Sequence, residues 1–205
     1  NASVIWVPTF ARSTSGCDIS AVNGTNLNQS PIDMWCSITE WPPMWTLGRS
    51  GGVTLAERFA AAVASELRAV GITLDYAPVL DVLTNANNPV IGDRALATQA
   101  EEVGRLGAVI IRTLQSEGVA ACGKHFPGHG DTSVDSHLEL PLLEHPPDRF
   151  RGVEFVPFRA AVQADVATIM TAHVFAPALD EKRPATLSRR VVTDRSEERR
   201  VGKEC

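Results

Sequence analysis

Residues 98–126 read TQAEEVGRLGAVIIRTLQSEGVAACGKHF, and the order of signals in this run decides the fold. Thr98, with Glu101 three residues on, is a capping-box pattern, in which a hydroxyl and a carboxylate satisfy first-turn backbone donors. It predicts a helix running to about Glu117, with Gly118 as the stop. VAACGKHF (119–126) then reads as a strand that ends in charged residues. The same grammar occurs upstream. Thr54 and Glu57 form a second capping box, Phe59, Val63, Leu67 and Val70 follow at helical spacing, and Gly71 ends the pattern. ITLDYAPVLDV (72–82) is the buried strand after it, running into a loop that closes on TNANNPVIGDR (84–94). Downstream, a helix is expected near 148–164 and a strand at VATIMTAHV (166–174). Pro157 inside that third helical pattern predicts a kink or break, because proline lacks the amide donor and crowds the preceding turn.

Helix, short turn, apolar strand and loop in repeating order argue for parallel βαβ units. Each expected strand ends in polar residues: Asp81, then Lys124 and His125, then His173. A (β/α)₈ barrel places its active site at those C-terminal strand ends. A doubly wound open sheet puts ligands at the same ends, so the periodicity alone leaves both open. Neither G-x-G-x-x-G nor G-x-x-x-x-G-K-[ST] occurs, which removes the commonest reasons to prefer the open sheet.

The 205 residues carry 19 basic against 24 acidic side chains, a formal charge of −5, with no long basic run. A dedicated nucleic-acid binder would show a basic patch or stripe, so that class is set aside. No apolar stretch approaches the roughly 18 residues of a membrane span, and no secretory leader is visible. A cytoplasmic site is the expectation, with a secreted or lipid-anchored parent as the alternative. Cys17, Cys36, Cys122 and Cys205 form no C-x-x-C pair, and the redox compartment stays undecided. The two ends differ from the middle. Residues 1–39 are rich in Ser, Asn and Thr and lack a period; they are set apart as a doubtful segment, a frameshift or a degraded barrel start. Residues 195–205 (RSEERRVGKEC) resemble the translation of a sequencing adapter and are excluded from fold reasoning. Residues 40–194 are the expected partial barrel domain.

Residues 124–141 read KHFPGHGDTSVDSHLELP. Six ionisable groups, Lys124, His125, His129, Asp131, Asp135 and His137, follow closely behind one strand. Burying them idle would be costly. Pro127, Gly128 and Gly130 mark a loop that bends sharply, so a charged loop lies over the end of a rigid strand. His129 and Asp131 are read as shaping that loop through local hydrogen bonds. By residue type alone the same groups could ligate a divalent cation. Pro127 and Gly128, however, break the helix that would align His125 with His129, and no metal is expected.

This stretch resembles the signature of glycoside hydrolase family 3, in its β-N-acetylglucosaminidase branch. The likeness runs from about residue 40 to residue 190, through VLDV, TNxxNPVIGDR, the K-H-F loop, VPFRAA, IMTAHV, PAL and RPATLS. The resemblance implies a retaining glycosidase on a (β/α)₈ barrel, incomplete in this chain, that removes terminal β-linked N-acetylglucosamine from glycans or muropeptides. It puts the family's acid/base dyad on Asp135 and His137: an imidazole protonates the departing oxygen and then activates water, steadied by the carboxylate. It puts sugar-binding roles on Lys124, His125 and Arg94, with Asp81 and His173 as weaker site candidates. The GDRALA sequence (92–97) departs from the family's GDRSFG, which touches the support of Arg94. The family's D-x-E-G-G block is not found, and its nucleophilic Asp, downstream of P-A-T-L-S, is not found either. The expectation is an active parent and an inactive stretch of 205 residues. No cofactor is implied, and oligomeric state is not specified. A carbohydrate-binding relic and a phosphorylase of the same family are the alternatives.

Overall fold

The structure is a computed structural model that describes residues 39–50, 52–134 and 140–194. The adapter-like tail at 195–205, and all of the doubtful start except Thr39, lie outside the described residues.

The helix-then-strand alternation occurs three times. Helices α1 (Met44–Ser50) and α2 (Gly52–Ala69) precede β1 (Leu74–Asp75). Helix α3 (Ala100–Ser116) precedes β2 (Ala120–Phe126), and α4 (Phe155–Gln163) precedes β3 (Thr168–Thr171). The strands form one parallel sheet in the order β1-β2-β3, with Leu74 opposite Ala120 and Cys122 opposite Thr168. A doubly wound sheet reverses its order at a switch point, and these three strands show no reversal.

One backbone device ends each long helix and aims the chain at the sheet. Gly71, Gly118 and Asp165 all have positive φ, at 81°, 83° and 56°. At each, the amide of that residue and the next bond back into the last turn: Gly118 N to Gln115 O at 3.1 Å, Val119 N to Leu114 O at 2.9 Å. Ile72 to Leu67 (2.9 Å) and Val166 to Ala161 (3.1 Å) are the equivalents. This Schellman geometry satisfies carbonyls the helix leaves open. Glycine suits the left-handed position in the first two; in the third an aspartate occupies it.

The capping boxes do not form as expected. Helix α2 begins at Gly52, which puts exposed Thr54 inside its first turn. Helix α3 uses Gln99 as N-cap without a side-chain bond; Ala100, only 5% exposed, packs into the core and sets the start there. The inward face of α2 also differs. Ala56, Ala60 and Ala64 are fully buried, while Phe59, Val63 and Leu67 pack at its flank and Val70 is exposed. Small residues at i, i+4 and i+8 thus form the buried stripe of α2.

Regular pairing of the expected strand 72–82 is confined to Leu74–Asp75. The cause is Pro78, which has no amide to give. The chain nevertheless stays along β2, with Cys122 N bonded to Ala77 O (2.8 Å) and Leu80 N to Lys124 O (2.6 Å). Leu80, fully buried, fills the space between α3 and β2. A Cβ on Gly107 or on Gly123 would meet its methyls at 2.5 and 2.6 Å.

The third helical stretch starts with a turn at Pro147–Arg149, widens into a π-helical turn at Phe150–Glu154, and only then becomes α4. The irregularity thus precedes Pro157 instead of sitting at it. A widened turn accommodates the missing donor and the proline ring from upstream. Phe126 at the end of β2 stacks on Phe155 (centroids 5.5 Å apart) and meets Phe158 edge-on (5.2 Å), which ties the strand end to this helix. The ladder of β3 is shorter than expected, but Ala172 N continues it to Phe126 O at 2.7 Å. Among the described residues no helix is long and apolar enough to cross a membrane.

Candidate active site

Parallel strands present their C-terminal ends on one rim, and there Asp81 holds His125 and the backbone of His129. Asp81 is fully buried. Its Oδ1 accepts the His129 amide at 2.7 Å, and its Oδ2 accepts His125 Nδ1 at 2.7 Å. The His125 amide reaches both oxygens, at 3.2 and 3.3 Å. Burial pushes the Asp81 carboxyl upward, but the His125 ring and these hydrogen bonds outweigh it and hold the group below its ordinary value. With Nδ1–H engaged, Nε2 is the ring nitrogen of His125 left to meet a ligand. Asp81 therefore anchors the loop and sets the orientation of His125.

Lys124 precedes His125 across a cis peptide bond, half-buried, with its backbone paired to Met170 of β3. Burial, then the nearby Arg94 guanidinium, lower its ammonium pKa; Asp75, Cys122 and Asp81 act in the opposite sense. Asp75 is the counterpart, raised by burial and opposed by Lys124 and the Tyr76 amide. Arg94 sits on a 3₁₀ turn at Gly92–Arg94 and donates to Val90 O at 3.0 Å. That turn is prepared by Asn88, whose Oδ1 accepts the amides of Val90 (2.9 Å) and Ile91 (2.7 Å). The residues that depart from the family sequence, Ala95, Leu96 and Ala97, are buried, so Arg94 has packed support behind it.

His173 stands apart from this group in its contacts. Its Nδ1 lies 3.0 Å from Thr186 Oγ1, whose hydroxyl donates to Ala172 O at 2.9 Å. Asp135 and His137 lie outside the described residues. Their flanks are described on both sides. Thr132 and His129 are held by Asn88 Nδ2, which donates to His129 O at 2.8 Å and to Thr132 Oγ1 at 3.2 Å. Asn85 Nδ2 donates to Thr132 O at 3.1 Å. His129 Nδ1 lies 2.6 Å from Thr132 Oγ1, and Asp131 accepts the Thr84 hydroxyl at 2.5 Å.

Several residues that shape the rim were not singled out from sequence. Asn85 and Asn88 lie in a loop that had been noted, and a local signal for them exists: Asn before a turn bonds its own backbone two residues on. His145, Arg149 and Glu154 carried no signal, because their partners lie on other segments. Among the described residues no three His, Cys, Asp or Glu side chains converge as a metal site would require.

Comparison with known proteins agrees with this architecture. The glycosyl hydrolase family 3 N terminal domain matches residues 13–197. A curated β-hexosaminidase from Thiobacillus denitrificans is 40% identical over 157 residues, covering 74% of this chain and 43% of that protein. β-Hexosaminidase A from Pseudoalteromonas piscicida is 38% identical over 154 residues, covering 69% of this chain and 26% of its own. The chain thus spans between about a quarter and under half of these relatives' length. Among solved structures, a family 3 β-N-acetylglucosaminidase from Paenibacillus superposes with a TM-score of 0.76 at 45% identity, over 80% of this chain and 31% of that one. NagZ from Neisseria gonorrhoeae, in complex with N-trifluoroacetyl-D-glucosamine, superposes at 0.72 and 35% identity, over 77% of this chain and 48% of its own. The parallel βαβ sheet, the residues at its strand ends and these matches establish that the chain belongs to glycosyl hydrolase family 3, as part of its N-terminal domain.

Proposed function

We propose that this chain carries part of the (β/α)₈ barrel of a retaining β-N-acetylhexosaminidase that removes terminal β-linked N-acetylglucosamine from glycans or cytoplasmic muropeptides. The observation that carries the reading is the buried Asp81 carboxylate, which fixes His125 and the loop root at the end of β2. A site that must recognise a sugar needs donors in fixed directions, and a buried charged acceptor supplies that rigidity. In this reading Lys124 and Arg94 donate to sugar hydroxyls and the N-acetyl carbonyl, and His125 accepts a sugar hydroxyl at Nε2. His137 protonates the departing glycosidic oxygen and later deprotonates water, and Asp135 stabilises its charged form. Most retaining glycosidases use two carboxylic groups, and the histidine replaces one of them. No residue of this chain is assigned the nucleophile.

The test is hydrolysis of an aryl β-N-acetylglucosaminide by the gene product that carries this chain, with and without inorganic phosphate. Free N-acetylglucosamine, formed first as its β-anomer by proton NMR, is expected in both conditions. N-acetylglucosamine 1-phosphate in the phosphate arm would make the enzyme a phosphorylase. Binding of the sugar by calorimetry with no turnover would leave only the carbohydrate-binding relic.

A further inference from the structure

Two imidazoles branch from the C-terminal ends of neighbouring parallel strands, and both are held at the same ring nitrogen. His125, at the end of β2, has its Nδ1 2.7 Å from Asp81 Oδ2. His173 lies just beyond the end of β3 at Thr171. The Ala172 amide donates to Phe126 O at 2.7 Å, so the two strands are still paired where the imidazoles leave them. Paired strands lie about 5 Å apart, which puts both residues on one stretch of rim. Ala172 and Val174 are buried in the core, and the alternation of an extended chain turns His173, between them, to the open side. The His173 side chain is exposed there.

The chain then returns to hold that ring. The 3₁₀ turn Ala185–Leu187 docks along the exit of β3 through two bonds that straddle His173. The Ala185 amide donates to Val174 O at 2.8 Å, and the Thr186 hydroxyl donates to Ala172 O at 2.9 Å. Ala172 is only 3% exposed, so its carbonyl needs a donor from the protein, and the Thr186 proton is committed to it. What Thr186 Oγ1 then offers His173 Nδ1, 3.0 Å away, is a lone pair. A lone pair selects the neutral tautomer that carries its proton on Nδ1 and leaves Nε2 as an acceptor. Lys124 and Arg94 bring donors only, whereas a sugar hydroxyl also has a proton to place.

We propose that His173 is a second hydroxyl-accepting residue of this rim, taking a hydroxyl of the carbohydrate at Nε2, and that Thr186 is the positioning residue that fixes its tautomer. The ligand in this proposal rests on the glycosidase reading above; the tautomer rests on the protein's own bonds.

The test uses the gene product that carries this chain and N,N′-diacetylchitobiose, which presents hydroxyls of two sugar units. Its sulfur-linked analogue, which resists hydrolysis, serves for calorimetry. His173→Ala is expected to raise KM for the first and Kd for the second about three- to tenfold, the worth of one neutral hydrogen bond, with kcat within about twofold. Thr186→Val, which keeps the shape and removes the hydroxyl, is expected to weaken binding about threefold, and Thr186→Ser to stay within about twofold of wild type. Nitrogen-15 NMR of the imidazole reads the tautomer without turnover: His173 protonated on Nδ1 in wild type and Thr186→Ser, and a mixture in Thr186→Val. Unchanged KM and Kd in His173→Ala, a Thr186→Ser as weak as Thr186→Val, or a wild-type ring protonated on Nε2 alone would each overturn the proposal. A wild type that neither hydrolyses chitobiose nor binds the analogue overturns the glycosidase reading and the ligand with it, and the nitrogen spectrum then decides the role of Thr186.

Discussion

Replacing Asp81 by Asn changes one oxygen to an amide nitrogen at a side chain that is fully buried, so its effect can be worked from contacts alone. The remaining amide oxygen can keep the His129 amide, now held at 2.7 Å. The new NH₂ faces His125 Nδ1 and the His125 amide, which donate to Oδ2 at 2.7 and 3.2 Å. His125 can answer only by moving its proton to Nε2 and accepting at Nδ1, and its backbone amide is left against a donor. Hydrogen bonds to charged groups contribute about 1.5–3 kcal/mol each, and a neutral replacement returns about 1 kcal/mol. The expected cost is therefore about 2–4 kcal/mol, within the roughly 5–15 kcal/mol of a typical domain. For a chain of this size that lowers Tm by about 5–15 °C. The pH dependence has a definite sign. The folded carboxyl is held below its ordinary value, so its contribution is present above the unfolded-state value and is lost as pH falls through the folded one. Urea unfolding of wild type and Asp81→Asn from pH 7 downward should show a gap that is constant near neutrality and narrows once the pH drops below about 4. A gap that stays constant into strong acid, or no gap at pH 7, would refute the account of Asp81 as a charged anchor.

The helix ends give a paired test. Gly118→Ala, at φ 83°, is expected to lose about 1 kcal/mol by thermal melting, and Asp165→Gly, at φ 56°, to gain up to about 1 kcal/mol. Thr98→Ala is expected to change stability by less than about 0.5 kcal/mol, because the N-cap of α3 is Gln99 and no side chain caps it; a loss above about 1 kcal/mol by chemical denaturation would restore the capping box. Glu154 is raised above its ordinary value, by burial first and despite Arg149 and His145. Its stability contribution is present below the unfolded value and lost as pH rises through the folded one. Glu154→Gln should then gain on wild type as pH rises from about 4 to 7 in the same unfolding series.

What sequence made legible was the repeat of helix, stop and strand, since Gly71 and Gly118 act through their own backbone angle and need no partner to be recognised. The strand-end positions were legible for a similar reason: Asp81, Lys124, His125 and His173 fall at the ends of apolar runs. The capping boxes were misread because the start of α3 is set by the burial of Ala100, a tertiary effect that no local pattern carries. The inward face of α2 is carried by Ala56, Ala60 and Ala64, whose small side chains give no hydrophobic signal as strong as Phe59, Val63 and Leu67 beside them. Pro78 marks the break of the strand in the sequence itself, since a residue without a donor cannot sit in an unbroken ladder. His145 and Arg149 stayed hidden, because an ion pair between a loop and a later turn leaves no trace in spacing.

Leu80, wedged against two glycines, ties together the evolutionary histories of three positions far apart in the chain. A methyl gained at Gly107 or Gly123 would occupy the volume its branched end now fills, so such a change survives only alongside a shorter residue at position 80. In relatives of this chain the sizes at 80, 107 and 123 should therefore trade against one another, and protein engineers who alter one of them inherit an obligation at the other two.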